Sequence, residues 1–197
     1  MTLAEYRTHA PRTLADVGGI LYGQEIIIPV DIRKKICDKL NYMHMATGLA
    51  SEVGELVECV GTDLRFDVDL ANLGEEIGDL YWYLANYANM RDIKLPEELH
   101  VHIPEEQCLD FLIIKVGMLV DIIKKFAAYN KEIDRVTETL IVCDVRLALL
   151  AIEHTYDLNG KEIRLRNIAK LARRYPVEFS DFLATHRDLV AERKELE

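Results

Sequence analysis

The hydrophobic positions of this chain recur with a helical period over most of its length. Apolar side chains return every three or four residues, which places them on one face of an α-helix. The period predicts five long helices and a short C-terminal one, over 30–60 (with or without a break), 69–90, 105–129, 135–156, 161–174 and 186–196. Only residues 25–30 (EIIIPV) have the composition of a strand, and Pro29 limits it. The pattern therefore predicts an all-α protein.

Two pairs of acidic residues stand out in the first two long helices. Glu52 and Glu55 are three residues apart in ASEVGELVE, and Glu76 and Asp79 have the same spacing in LGEEIGDLYWYL. At about 100° per residue, each pair projects from the same flank of an equivalent apolar stripe. If the two stripes pack antiparallel, as a short loop favours, the acids line one groove. Asn86, seven residues after Asp79, extends that groove by two turns.

A cluster of four carboxylates needs a positive charge to neutralise it. Carboxylates that converge across two packed helices repel one another strongly, and a hard divalent cation usually neutralises them. This indicates metal-dependent phosphate chemistry. The other interpretation is a solvated acidic flank with Lys or Arg partners, which is the usual outcome for an isolated ExxE motif.

Composition and charge narrow the class of protein. The chain has 197 residues, of which 50% are hydrophobic, and we expect one globular domain over 1–197. Its formal net charge of −10 argues against binding to nucleic acid, but leaves a free nucleotide possible. We expect no membrane association and a cytoplasmic location, because no run of 18 apolar residues and no signal-peptide core are present. The four cysteines are scattered, which disfavours zinc or disulfides.

A weaker echo of the acidic segments follows them in the chain. Residues 112–126 align with the first acidic helix and place Gly117 at Gly54, while residues 139–152 align loosely with the second. In this alignment the four acids are replaced, in order, by Lys115, Met118, Cys143 and Arg146. The echo predicts a degenerate second helical repeat without metal ligands, although two amphipathic helices of similar length can also align by chance.

At the acidic pairs the chain resembles the MazG-like all-α nucleoside triphosphate pyrophosphohydrolases, in particular the compact phage and bacterial members. The family signature is EExxE, a spacer and ExxD, and here Ser51 takes the place of the first acid. The blocks similar to the family lie at 44–56, 73–85, 166–180 and 186–197. The resemblance implies a MazG-like helical bundle. It divides the chain into a core over 31–92, a tail over 161–197 and a helical insertion at about 100–160. The loop between the acidic helices lacks the lysines of many short members and leaves Arg65 as the nearest cation.

The resemblance implies a reaction and a set of metal ligands. Family members cleave a nucleoside triphosphate between its α and β phosphates and release the monophosphate and pyrophosphate. Here Glu52, Glu55, Glu76 and Asp79 would hold two or more Mg²⁺ or Mn²⁺ ions and carry the catalysis. One of them, Glu52 or Glu55, would accept a proton from the attacking water.

Nucleotide contacts are implied by the same resemblance. Lys170 and Arg173 would bind the β and γ phosphates, Asn167 and Tyr175 would complete the pocket, and Asn86 would contact the ribose or base. The alternative for the basic residues is a helix C-terminus whose macrodipole favours cations. Trp82 or Tyr83 could stack on a base, but aromatic residues beside a leucine stripe more often belong to the core.

Substrate and assembly are less constrained. By analogy we expect a purine such as dGTP or GTP, in control of the nucleotide pool of a bacterium or phage-infected cell, and a homodimer or homotetramer. Broad specificity, or removal of a noncanonical or pyrimidine nucleotide, stays open. So do a non-catalytic helical scaffold and an insertion that completes the bundle within one chain. A di-iron bundle is disfavoured, because the predicted helices carry no Glu-x-x-His pairs.

Overall fold

The computed structural model describes residues 1–14, 29–61, 68–95, 97–98, 103–177, 179–186 and 188–195. Within these ranges every regular element is an α-helix or a short 3₁₀ helix, which confirms the all-α prediction. Of the predicted strand, residues 25–28 lie outside the described residues, and Val30 already begins a helix. Arg65, the cation noted in the loop between the acidic helices, is also outside them.

The helices follow the predicted order closely. Those of the described residues are α1 (Leu3–His9), α2 (Val30–Val60), α3 (Leu70–Met90), α4 (Cys108–Tyr129), α5 (Arg135–Thr155), α6 (Gly160–Arg174), α7 (Asp181–Thr185) and α8 (Leu189–Lys194). Short 3₁₀ turns at Ala10–Thr13 and Glu105–Gln107 extend α1 and precede α4. The hydrophobic period did not predict α1 or α7, because helices of one or two turns carry too few apolar positions to show it.

The two acidic helices have clear physical boundaries. Helix α2 runs for 31 residues without a break and ends at Gly61, whose φ of 68° an L side chain rarely adopts. Helix α3 begins after Asp69, whose side chain accepts hydrogen bonds from the backbone amides of Ala71 and Asn72. These boundaries fix the rotation of both helices, and therefore the direction in which their acids project.

Helices α2 and α3 pack antiparallel through the predicted apolar stripes. The stripe residues are all buried, namely Leu49, Val53, Leu56 and Val60 of α2 and Leu73, Ile77, Leu80 and Leu84 of α3. The ring of Tyr42 lies 6.1 Å from that of Tyr87, and the ring of His44 lies 6.0 Å from that of Tyr83. The two helices therefore run in opposite directions, which brings Glu52 opposite the first half of α3.

The α4–α5 hairpin completes a four-helix bundle within the chain. Helix α4 packs on both α2 and α5, and the ring of Phe126 contacts that of Tyr42. Helix α5 lies antiparallel to α3, because Glu138 near its start binds Arg91 and Glu153 near its end binds Tyr81. A four-helix bundle is therefore formed by one chain, with α4 and α5 supplying two of its four long helices.

The residues aligned with the acids in the second hairpin have other surroundings. Lys115 pairs with Asp144 over 2.8 Å, and Met118 is exposed. Arg146 is buried and donates to the Tyr81 hydroxyl over 2.5 Å. These contacts are structural ones, as expected for a repeat that carries no acids at these positions.

The C-terminal tail returns to the acidic helices. Helix α6 packs against α3 and α1, and α8 packs against α6, where Arg174 forms a two-point ion pair with Glu192. The tail thus contributes side chains to the surface of α3 that carries Asp79. Among the helices of the described ranges, none is both long and apolar enough to span a lipid bilayer.

Candidate metal and nucleotide site

Three of the four predicted acids meet where α2 and α3 cross. One carboxylate oxygen each from Glu52, Glu76 and Asp79 can be chosen so that all three lie within 4.8 Å of one another. Glu76 is buried, with 8% of its surface exposed, while Glu52 and Asp79 are half-buried. The antiparallel packing of the apolar stripes produces this convergence, as the angular positions predicted.

Glu55 lies at the edge of this cluster. Its side chain is exposed, and it does not belong to the group of three whose oxygens approach most closely. Its negative charge nevertheless contributes to the raised pKa values of Glu52 and Glu76. Glu55 is therefore near enough to act on the cluster, from its solvent side.

The pKa values show how poorly the cluster tolerates its own charge. Burial, followed by the charges of Asp79, Glu55 and Glu76, raises the pKa of Glu52 to about 8. Burial and the neighbouring acids also raise the pKa of Glu76 to about 7. A divalent cation would relieve this repulsion, and a donor set made only of carboxylate oxygens suits Mg²⁺ or Mn²⁺. The residues present therefore fit a hard metal ion.

Asp79 is held by two side chains of α6. The Lys170 ammonium donates to both Asp79 oxygens, over 2.7 and 2.6 Å, and the Asn167 amide donates to Oδ1 over 2.7 Å. Lys170 also reaches Glu75 over 3.2 Å, and its side chain is completely buried. The resemblance implied a phosphate contact for Lys170 and a place in the nucleotide pocket for Asn167, whereas both side chains contact a predicted metal ligand here.

Helix α1 supports this arrangement from behind. The Tyr6 hydroxyl donates to Asn167 Oδ1 over 2.5 Å and also lies 3.2 Å from the carbonyl oxygen of Gly78. A Cβ on Gly78 would come within 3.0 Å of the Asn167 side chain, so glycine at this position allows the close approach. Sequence reasoning missed both residues, because Tyr6 lies in no acidic or basic motif and Gly78, although it lies between Glu76 and Asp79, carries no side chain that could act as a ligand.

A cavity of about 160 Å³ opens directly beside Glu52 and Asp79. Its aromatic walls come from Trp82, Tyr83, Tyr175 and Phe179, and its remaining lining includes Thr13, His44 and Arg174. Flat aromatic walls with a few polar groups are typical of a site for a nucleobase. The cavity therefore joins an aromatic pocket to an acidic cluster.

The polar groups of the cavity differ in how well they are satisfied. Trp82 Nε1 donates to the Ala10 carbonyl oxygen over 3.0 Å and to Thr13 Oγ1 over 2.8 Å, which fixes the indole. His44 Nδ1 is buried without a hydrogen-bond partner, and burial lowers the pKa of this imidazole. Burial and the charge of Glu52 raise the pKa of Tyr83 to about 12. A bound ligand would meet a neutral imidazole and a neutral phenol here.

The other predicted nucleotide residues divide between the cavity and its surroundings. Tyr175 lines the cavity. Arg173 is exposed on α6, and its neighbour Arg174, which the sequence did not single out, lines the cavity. Asn86 is only 1% exposed and donates to the Trp82 carbonyl oxygen over 2.9 Å, so it lies behind the aromatic wall.

One comparison with known proteins bears on this geometry. Residues 35–101 match the model of the MazG nucleotide pyrophosphohydrolase domain, a segment that contains both acidic pairs and the aromatic residues that follow Asp79. The tail from α6 onward lies outside the match. No curated protein and no solved structure matched the chain. The matched region therefore indicates, in general terms, a nucleotide pyrophosphohydrolase with a nucleotide substrate.

Proposed function

We propose that this chain is a metal-dependent nucleoside triphosphate pyrophosphohydrolase, which converts a (d)NTP and water into the (d)NMP and pyrophosphate. The convergence of Glu52, Glu76 and Asp79 to within 4.8 Å, inside the segment that matches the MazG domain, carries this proposal. The adjoining aromatic cavity gives a second reason, because it offers a base-sized pocket at the side of the acids.

The acids would hold the metal. We propose that Glu52, Glu76 and Asp79, with Glu55 at the solvent edge, hold two or more Mg²⁺ or Mn²⁺ ions. When bound, such ions polarise phosphate oxygens and lower the pKa of a nearby water. Glu52 or Glu55 would accept the proton of the attacking water. Glu52 suits this role, because its raised pKa makes its carboxylate a stronger base than that of an ordinary glutamate.

The nucleotide would place its base between the aromatic walls and its phosphates toward the acids. Tyr175 and Arg174 line the cavity, and the exposed Arg173 is free of the core and long enough to reach an outer phosphate. Lys170 and Asn167 would act through Asp79, and Asn86 through the Trp82 wall that it supports. Some of the predicted nucleotide residues would therefore contact the nucleotide directly, and the others would act through a neighbouring side chain.

Within this class we propose a purine such as dGTP or GTP as the preferred substrate and the control of a bacterial or phage-infected cell's cytoplasmic nucleotide pool as the role. Broad specificity and a noncanonical or pyrimidine substrate are the alternatives. A panel of NTPs and dNTPs, assayed with Mg²⁺ and with Mn²⁺, ranks them by kcat/KM.

We also propose that residues 1–197 form a single domain, with its core over 31–92, its tail over 161–197 and the insertion at about 100–160. The ion pair between Arg91 and Glu138 supports the single domain, because it ties the proposed insertion to the core. A homodimer or homotetramer stays a prediction, which light scattering tests. The bundle itself needs no second copy, since α4 and α5 complete it within the chain.

The decisive assay follows pyrophosphate as it is released. Malachite green detects the phosphate formed when inorganic pyrophosphatase is added to the reaction. Glu76→Ala should abolish release, while Glu58→Ala, which removes an exposed acid from α2, should leave it unchanged. If the folded wild-type chain turns over no nucleotide, the non-catalytic scaffold is the better account.

A further inference from the structure

The Asp79 carboxylate has few free lone pairs. Each carboxylate oxygen offers about two acceptor positions. Oδ1 accepts from Lys170 Nζ and from Asn167 Nδ2, both over 2.7 Å, so both of its positions are used. Oδ2 accepts from Lys170 Nζ over 2.6 Å, which leaves one position. Asp79 can therefore offer a metal ion one lone pair on one oxygen.

The side chains that occupy Asp79 cannot easily turn away. Lys170 is completely buried, and its ammonium lies almost equally far from the two Asp79 oxygens and also donates to Glu75 Oε1. The ammonium therefore occupies the side of Asp79 from which one ion would bind both oxygens. Asn167 is 1% exposed and is fixed in turn by the Tyr6 hydroxyl. We call Lys170 and Asn167 the Asp79 clamp.

We propose that the Asp79 clamp sets the metal selectivity of the site, by forcing Asp79 to bind through one oxygen and so favouring Mg²⁺ or Mn²⁺ over Ca²⁺. This inference rests on the proposed function. Ca²⁺ takes six to eight oxygen ligands, often with a carboxylate that binds through both oxygens, whereas Mg²⁺ is octahedral and keeps several waters. A carboxylate limited to one lone pair satisfies the smaller ion and leaves Ca²⁺ short of ligands. Lys170 and Asn167 are thus positioning residues, which act through Asp79.

The charge of Lys170 has to be separated from its geometry. Removing the ammonium strengthens the attraction of the acids for any cation, but it does not by itself distinguish Ca²⁺ from Mn²⁺. Removing the Asn167 amide changes no charge and frees one Oδ1 position. Because Lys170 still blocks two-oxygen binding in Asn167→Ala, Lys170→Met is the variant that opens it. The ratio of the Mn²⁺ and Ca²⁺ affinities measures the geometric effect, since the charge effect acts on both ions.

The experiment measures metal binding directly, on the full chain without nucleotide. Mn²⁺ affinity is followed by electron paramagnetic resonance of the free ion, and Ca²⁺ affinity by its competition with Mn²⁺. In Lys170→Met the preference for Mn²⁺ over Ca²⁺ should fall about tenfold, the scale on which metal affinity changes when a partner of a metal ligand is removed. In Asn167→Ala, where Lys170 stays in place, the preference should fall by less. Lys161→Met, which removes an exposed charge from the same helix, should leave the preference unchanged.

The possible results are distinguishable. If Lys170→Met binds both ions with the wild-type preference, the clamp is only structural and the inference is overturned, while the proposed function stands. If wild-type protein binds neither ion and Glu76→Ala changes nothing, the proposed metal site fails and the inference falls with it. Should Lys170→Met not fold, as circular dichroism would show, Lys170→Gln, which also lacks the ammonium, decides in its place.

Discussion

Arg91, at the end of α3, forms a two-point ion pair with Glu138 of α5. Its Nε donates to Oε1 over 2.6 Å and its Nη2 donates to Oε2 over 2.9 Å. Glu138 is completely buried and also accepts from the Tyr87 hydroxyl over 2.5 Å. The carboxylate thus joins the α4–α5 hairpin to the helix that carries Glu76 and Asp79.

Loss of this carboxylate should cost stability. Glu138→Gln leaves Arg91 without its counterion in a largely buried place, and breaking one side of such a pair typically costs about 3 kcal/mol. Arg91 keeps some solvent contact, with 21% of its side chain exposed, so the loss should lie at or below that value. Urea denaturation measures the change in the free energy of unfolding.

The matched control is Glu132→Gln, which alters an exposed acid in the turn between α4 and α5. Its free energy of unfolding should stay within about 0.5 kcal/mol of the wild type. Equal effects of the two substitutions would show that the Glu138 pair does not tie the α4–α5 hairpin to α3.

Gly48 should be required for the aromatic wall of the cavity. A Cβ at this position would lie 2.1 to 2.5 Å from three atoms of the Tyr83 ring. Gly48→Ala must therefore push the ring away, and overpacking of this kind typically costs about 1–3 kcal/mol. We expect lower stability together with a raised KM for nucleotide, measured by thermal denaturation and by initial rates.

Gly117→Ala is the control for helix propensity, because nothing lies within 4 Å of its added Cβ. In the interior of an exposed helix face, this change should stabilise the protein by about 0.5–1 kcal/mol and leave KM unchanged. A Gly48→Ala variant that behaves in the same way would contradict the close packing of Tyr83.

The acidic cluster should make metal-free stability depend on pH. Between the ordinary value of 4.5 and about 8, the folded chain holds the Glu52 proton more tightly than the unfolded chain does. The stability from Glu52 is therefore fully present below pH 4.5 and is lost as the pH rises through about 8. Glu76, with a pKa of about 7, adds a loss of the same sign.

Comparison with Glu52→Gln isolates this effect, because glutamine cannot ionise. In EDTA, the melting temperature of the wild type minus that of the variant should fall from pH 5.5 to pH 8.5. Mn²⁺ added in excess of the EDTA should raise the melting temperature of the wild type again at high pH. A difference that stays constant across this range would mean that folding does not raise the pKa of Glu52.

The helical period and the spacing of the acids were sufficient to predict the fold class and the convergence of the cluster. Both depend on local geometry, because residues three apart share a helix face wherever the helix packs. Local geometry could not predict that Lys170 binds Asp79. Its contact with Asp79 spans 91 positions and exists only because α6 returns to α3. Asn86 has the predicted angular position, but the Ala10–Thr13 turn packs over this part of α3.

The α4–α5 hairpin was partly predictable for the same reason. Apolar periodicity located α4 and α5, but no local signal indicated that α4 would lie against α2 and complete the bundle. That arrangement depends on contacts between side chains distant in sequence, such as Tyr42 with Phe126. The sequence pattern therefore predicted the helices, but it did not predict which helices pack against one another.

Phosphorus NMR of dGTP incubated with the full chain and Mg²⁺ tests the central claim most directly, because it identifies the bond that is cleaved. The account predicts that dGMP and pyrophosphate appear together, that EDTA prevents both, and that Glu76→Ala produces neither. Formation of dGDP with inorganic phosphate, or undiminished turnover in EDTA, would contradict it.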